Sequence, residues 1–124
     1  MKKIFTLAAL FFFNIAMADS VTFYKREYKE LVPGMERFLV NGDLGSFELF
    51  KAKKGFKSPP HTHKSEAIMY INSGKMKFTS GKEKIEERIL KAGDAVYIKS
   101  YFPHGIEIME DTMFTVSSSP KVER

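Results

Sequence analysis

Three histidines are the residues of this chain most able to do chemistry, and the sequence holds no others: His61, His63 and His104. His61 and His63 are two apart, after Pro59-Pro60 and before the apolar alternation of Ile68, Met69, Tyr70 and Ile71. In an extended segment, side chains at i and i+2 point the same way. The two prolines hold the preceding stretch away from helix, so His61 and His63 can offer two imidazoles to one metal. A third ligand must come from elsewhere, and His104 is the one histidine left. A single strand histidine is ordinarily a surface or packed residue; the case here rests on all three together. Three imidazoles suit Fe, Ni, Cu or Zn, and Mn less well without a carboxylate. Three neutral ligands leave a divalent charge and open coordination positions, as a catalytic site needs and a closed structural zinc site does not. Such a centre lowers the pKa of bound water, polarises a ligand carbonyl or, with iron, binds dioxygen beside an anionic substrate.

The elements that must position these groups lie beyond the first eighteen residues. Lys2 and Lys3 form a positive start, Ile4 to about Ile15 an apolar run, and Ala16-Met17-Ala18 an A-x-A cleavage site. This is the pattern of a secretory signal peptide, and the run is shorter than the ~20 residues that span a bilayer. The expectation is a signal peptide over 1–18, a mature domain over 19–124, and a periplasmic or secreted location with no membrane attachment after cleavage. There is no cysteine, so neither lipoprotein anchoring nor a disulfide is available. Lys2 and Lys3 leave with the signal, so the 20 basic residues become 18 against 15 acidic, a net charge of +3. With Lys and Glu interleaved, that charge reads as a solvated surface and not as a nucleic-acid footprint.

The mature part reads as one domain of short strands. Val21 to about Leu31 predicts an edge strand or an arm, and Pro33-Gly34 a turn. Glu36 to Val40 and Ser46 to Lys53 predict strands joined at Asn41-Gly42. In the second of these, Phe47 and Leu49 share one face, continued by Lys51 and Lys53, with Glu48 and Phe50 on the other. Ala67 to Asn72 is apolar on both faces, as a central strand is. Ser73-Gly74-Lys75 and Ser80-Gly81-Lys82 predict turns around Met76 to Thr79. Lys84 to Leu90, a helical turn or a strand by pattern and a strand by its place in the series, is followed by strands at Ala95 to Lys99, His104 to Met109 and Thr112 to Ser117, with Glu110-Asp111 as a break and a mobile tail from Ser118. Short strands at this spacing without a helical period predict an all-β sandwich or barrel.

The two histidine-bearing stretches resemble the two cupin motifs. GFKSPPHTHKSEAIMYINSG places Gly55, His61, His63 and Gly74 as the first motif does, and GDAVYIKSYFPHG places Gly93, Asp94 and His104 as the second does. Together the motifs, at 55–74 and 93–108, cover about half of the mature chain. The resemblance implies a single-domain cupin-type β-barrel, the double-stranded β-helix or jelly roll. It also marks departures. Where cupins carry a ligand Glu this chain has Ala67, and the nearest carboxylate is Glu66, one residue early. A one-residue shift in a strand turns a side chain to the opposite face, so Glu66 becomes a fourth ligand only if the chain there is still loop or bulge. In the second motif the usual Pro and Gly are Lys99 and Tyr101, so the turn before His104 is expected to differ in shape, stiffened by Pro103.

The resulting functional expectation is an exported cupin whose three histidines hold a divalent metal that acts on a small molecule, an anion among the candidates. Dioxygenase-like chemistry is favoured; the alternative is a non-catalytic module that binds a small ligand or the metal itself. The expected pocket neighbours are Met69, Phe78, Tyr97, Phe102 and Ile106, which as individual residues read equally as barrel core. Ile68 and Tyr70, facing away from the pocket, predict a homodimer.

Overall fold

A computed structural model describes residues 20–122, so the expected signal segment lies outside the described residues. Within them the fold is all-β, without helix. In chain order the strands are β1 (Lys29–Val32), β2 (Met35–Asn41), β3 (Ser46–Ala52), β4 (Lys57–His61), β5 (Glu66–Ser80), β6 (Glu86–Lys91), β7 (Ala95–Ile98) and β8 (His104–Ser119). All their pairings are antiparallel, in the order β1-β2-β3-β8-β5-β6, with β4 also on β8 and β7 also on β5.

Two long strands organise everything else. β5 and β8 pair along nearly their whole length, from Glu66↔Ser119 to Ser80↔His104, with register shifts between Ile71 and Met76. On one side of that interruption they carry β3 and β7; on the other they carry β4 and β6. The sheet therefore has two limbs that share β5 and β8 and fold over at residues 72–75 and 110–112. This corrects the sequence expectation in two places: Ser73-Gly74-Lys75 is no chain reversal and Glu110-Asp111 no strand break. Each is a bulge inside a continuous strand. Bulges bend a strand while leaving it in the ladder, and this turns one wide sheet into a jelly roll.

The bend has a specific chemistry. Gly74 has φ +97, and a Cβ there would lie 2.6 Å from Thr112 Cα, with Asp111 O and Thr112 Oγ1 nearer still. Buried Thr112 sits in the space left open: its hydroxyl accepts from Lys75 N–H (3.0 Å) and donates to Glu110 O (2.7 Å). The backbone groups released by the bulge thus find a side-chain partner, as buried polar groups require. Around the bend pack the most buried side chains, Ile71, Met76 and Ile108, with Phe50 stacked on Phe114 at 4.8 Å. The core is closed at the bend, and the other ends of both limbs form a mouth.

At the mouth the tail is held. Ser65 Oγ donates to Pro120 O, Val122 N–H to Ser46 Oγ at 2.7 Å, and Asn41 Nδ2 to Val122 O. Among the described residues, which end at Val122, the segment from Ser118 is held in place of the mobile tail expected there: β8 runs to Ser119 and the following residues dock beside β2 and β3. The expected arm over Val21–Leu31 is without regular structure up to Tyr28, and β1 begins only at Lys29.

Gly74→Ala should destabilise the fold by about 2–5 kcal/mol, combining positive-φ strain of about 1–2 with overpacking of about 1–3. Equilibrium urea unfolding measures it; a loss below about 0.5 kcal/mol, the ordinary surface range, would show that the bend is not closely packed.

Candidate metal centre

His61 ends β4 and His104 opens β8, and the two are direct cross-strand partners. β4 contains Pro59 and Pro60 because it is an edge strand, where a missing N–H leaves no ladder bond unmade, and its register shifts between Ser58 and His61. Gly105 lets β4 approach: a Cβ there would stand 2.8 Å from Ser58 O. His63 follows in the connection to β5, and its carbonyl accepts from Tyr101 N–H at 2.7 Å. That bond joins the two histidine segments directly. Tyr101 makes it with φ 61, a left-handed conformation that disfavours a side chain by about 1–2 kcal/mol. The turn before His104 thus takes up a left-handed conformation despite lacking glycine, and it is held by the contact it serves.

The three imidazoles converge. Ring centroids lie 4.6 Å apart for His61 and His63, 4.7 Å for His61 and His104, and 5.3 Å for His63 and His104. One ring nitrogen from each falls within 4.8 Å of the others. Two rings are oriented by the same local device: His61 Nδ1 lies 2.8 Å from Pro59 O and His104 Nδ1 2.9 Å from Phe102 O, in each case the carbonyl two residues earlier. A carbonyl can only accept, so each Nδ1 donates and Nε2 is the nitrogen left to ligate. A backbone carbonyl on the far nitrogen is the usual means of fixing a ligand's tautomer. Phe78 stacks on His104 at 6.0 Å between centroids and completes its orientation.

Electrostatics favour the ligating form. Burial holds His63 below its ordinary pKa of 6.5, with repulsion from His61 and His104 adding to it. His104 is also lowered, chiefly by burial, partly offset by its bond to Phe102 O. Neutral imidazoles with free, convergent lone pairs are what a divalent transition metal needs, so the donor set fits one.

The histidines stand in the wall of a cavity of about 1110 Å³ between the limbs, lined also by Ala67, Met69, Ile106 and Phe114. His104 also borders a smaller cavity of about 340 Å³ with Phe78, Phe102, Val96 and Ile98. Of the residues expected in the pocket, Met69 and Ile106 line the large cavity and Phe78 and Phe102 the small one. Tyr97 lies at the rim of the small one, 61% exposed, and its hydroxyl donates to Glu66 Oε1 at 2.8 Å. That bond holds the phenol above its ordinary pKa. Glu66 is exposed, already within β5, and is not among the three converging groups. Ala67, one residue on, is the one facing the cavity. By strand parity the Glu66 carboxylate turns outward with Ile68 and Tyr70.

Two cavity residues escaped the sequence reading. Arg37 on β2 and Glu48 on β3 point inward, with Nη1 3.2 Å from Oε2 and side-chain exposures of 20% and 7%. The face holding Glu48 and Phe50 is the buried one; Phe47 and Lys51 lie outside. The available signal was that Ser46, Glu48, Phe50 and Ala52 share a parity.

The cupin domain family matches the chain over residues 48–117. Among solved structures, KdgF from Halomonas sp. superposes with a TM-score of 0.71 at 23% identity, covering 77% of this chain and 89% of that one. An RmlC-like cupin from Shewanella frigidimarina gives 0.72 at 17%, covering 82% and 91%. An oxalate decarboxylase variant from Bacillus subtilis gives 0.69 at 20%, covering 77% of this chain but 27% of that one, so this chain spans about a quarter of the decarboxylase. No curated protein matches the sequence.

The lowered pKa values of His63 and His104 set the sign of a pH effect. Between their folded values and the ordinary 6.5, the unfolded chain binds more protons, so stability rises with pH through that window. Metal-free protein should therefore melt progressively lower as pH falls below about 6.5, and His104→Gln should flatten that slope. An unchanged slope in the variant would mean that His104 is not held neutral by the fold.

Proposed function

This chain belongs to the cupin family, and from that premise we propose that its three histidines hold one divalent transition metal serving a small, anionic molecule in the adjoining cavity. The observation that carries this reading is the convergence of three imidazoles, two of them oriented by backbone carbonyls, on the wall of a cavity of about 1110 Å³. A ligand pocket for a small molecule ordinarily spans about 300–1,000 Å³. The name of the oxalate decarboxylase attaches a small carboxylate to this fold, which supports an anionic ligand here.

A bound metal would supply Lewis acidity and open coordination positions, and iron would add dioxygen binding. The chain's own residues supply the rest. His61, His63 and His104 are neutral donors, so the centre keeps its charge for an anion. Met69, Ile106 and Phe114 exclude water from one side of the cavity, which strengthens charge interactions within it. Dioxygenase-like chemistry is the reading this donor set favours. A non-catalytic binding module is the second reading, favoured by Ala67 at the cavity wall, where no carboxylate stands to complete the centre.

Export and pairing complete the proposal. The first eighteen residues direct export, with Asp19 as the mature N-terminus. A second copy covers the outer face of the limb built on β3, β8, β5 and β7. There Phe47, Ser117, Ile68 and Tyr97 are successive cross-strand neighbours, and Ile68 and Tyr70 are 56% and 45% exposed. The outer face of the other limb carries Lys57, Lys77 and Glu107 in surface ion pairs, a poor surface to bury.

Protein purified natively from the host's extracytoplasmic fraction tests this reading at once. It should begin at Asp19, scatter light as a dimer, and consume oxygen with a member of a small-organic-acid panel when metal-loaded. An intact Met1 species in soluble cytoplasm contradicts export, and a monomer mass at micromolar concentration contradicts pairing. Retained metal without oxygen uptake for any acid turns the reading to the binding module.

A further inference from the structure

We propose that Arg37 and Glu48 form a second recognition pole of the same cavity, selecting a small hydroxylated carboxylic acid whose carboxylate binds Arg37 and whose hydroxyl donates to Glu48. The proposal rests on the cavity reading above but assigns it a substrate class.

The two poles lie on opposite limbs. The histidines belong to β4, its following connection and the start of β8, whereas Arg37 and Glu48 project from β2 and β3. Both stand toward the open ends of their limbs: Val116, the partner of Glu48, is four residues beyond Thr112 at the bend, and His104 is six residues before Glu110 on the other limb. Both sets line the cavity of about 1110 Å³. A molecule held between the limbs meets imidazoles on one side and an ion pair on the other.

The pair is poorly explained as a structural one. Around it on the inner face are Met35, Phe50, Met69, Phe114 and Val116, so an apolar residue would pack at either position. Taking two charges out of water costs more than they return unless the geometry is good and the remaining hydrogen-bonding capacity is met. Here one Nη1···Oε2 contact of 3.2 Å joins them. A guanidinium has five N–H donors in a planar fork that suits a carboxylate, and this contact engages one. Burial holds the Glu48 carboxyl above its ordinary 4.5 even with Arg37 beside it, so the pair is incompletely compensated as it stands. The remaining donors and acceptors of the pair are not sealed off, since among the described residues the one buried side-chain polar atom without a partner is the Tyr28 hydroxyl; open to the cavity, they would engage an incoming carboxylate on Arg37 and a hydroxyl on Glu48. The other charged residues lining the cavity, Lys64 and Lys121, are exposed, and they favour the approach of an anion.

The test uses metal-loaded full-length protein and calorimetric titration with three probes of one carbon skeleton: tartrate, succinate, which lacks the hydroxyls, and threitol, which lacks the carboxylates. Tartrate should bind at least ten-fold tighter than either analogue. Because removing one charge strands the other, the informative variant is the double substitution Arg37→Met/Glu48→Leu, with Glu48→Gln beside it. The double variant should retain its metal content and melt no lower than wild type, yet bind tartrate at least ten-fold more weakly. Glu48→Gln should lower the preference for tartrate over succinate. A double variant that binds tartrate as wild type does, or a wild type that binds none, overturns the proposal. A double variant that melts well below wild type with affinity intact makes the pair structural and overturns it equally. Loss of the metal reading would show separately, as wild-type protein without metal.

Discussion

The close crossing of β5 and β8 at Gly74 and Thr112 is the constraint on which the rest of this structure depends. Two strands of fifteen and sixteen residues would otherwise extend one flat, twisted sheet with both faces exposed. By bulging together they fold that sheet onto itself and bury Ile71, Met76 and Ile108 between the limbs. Each such side chain contributes on the order of 1.5–3 kcal/mol of burial. The same fold-over defines an opposite, open end. The three histidines and the Arg37–Glu48 pair are carried on the limbs, away from the bend, and core residues Phe50, Met69 and Phe114 reach from the packed part into the cavity wall.

Within the open half, convergence is achieved by backbone chemistry more than by packing. Pro59 O and Phe102 O aim His61 and His104, and Tyr101 N–H ties the His63 segment to the turn before His104. Burial lowers the pKa of His63 and His104, which favours their neutral form. The orientation of His61 and His104 is set before any ligand arrives, which is how a preorganised site limits reorganisation on binding.

Much of this was legible in the sequence because it depends on spacing. The i, i+2 histidines, the glycines of the two motifs and the alternation around Met69 each imply a geometry that the fold realises. What was not legible depends on partners distant in the chain. Ser73-Gly74-Lys75 carries the composition of a turn, and only pairing with Glu110–Thr112 makes it a bulge. The alternation in Ser46–Lys53 separates Phe47 and Leu49 from Glu48 and Phe50 without saying which pair is inward; Glu48 and Phe50 are the buried ones, with β3 between β2 and β8 and Arg37 paired to Glu48. The tail from Ser118 looks mobile by composition and is held by Asn41, Ser46 and Ser65. The outward turn of Glu66, in contrast, follows from strand parity alone.

The account stands or falls on the three histidines acting as one site. Elemental analysis of metal in natively purified wild type and in a His61→Ala/His104→Ala variant, at neutral pH, addresses this most directly. Ligands of one ion depend on one another, so wild type should carry about one metal per chain, a single substitution should weaken binding at least ten-fold, and the double variant should carry none. Stoichiometric metal retained by the double variant would contradict the site described here.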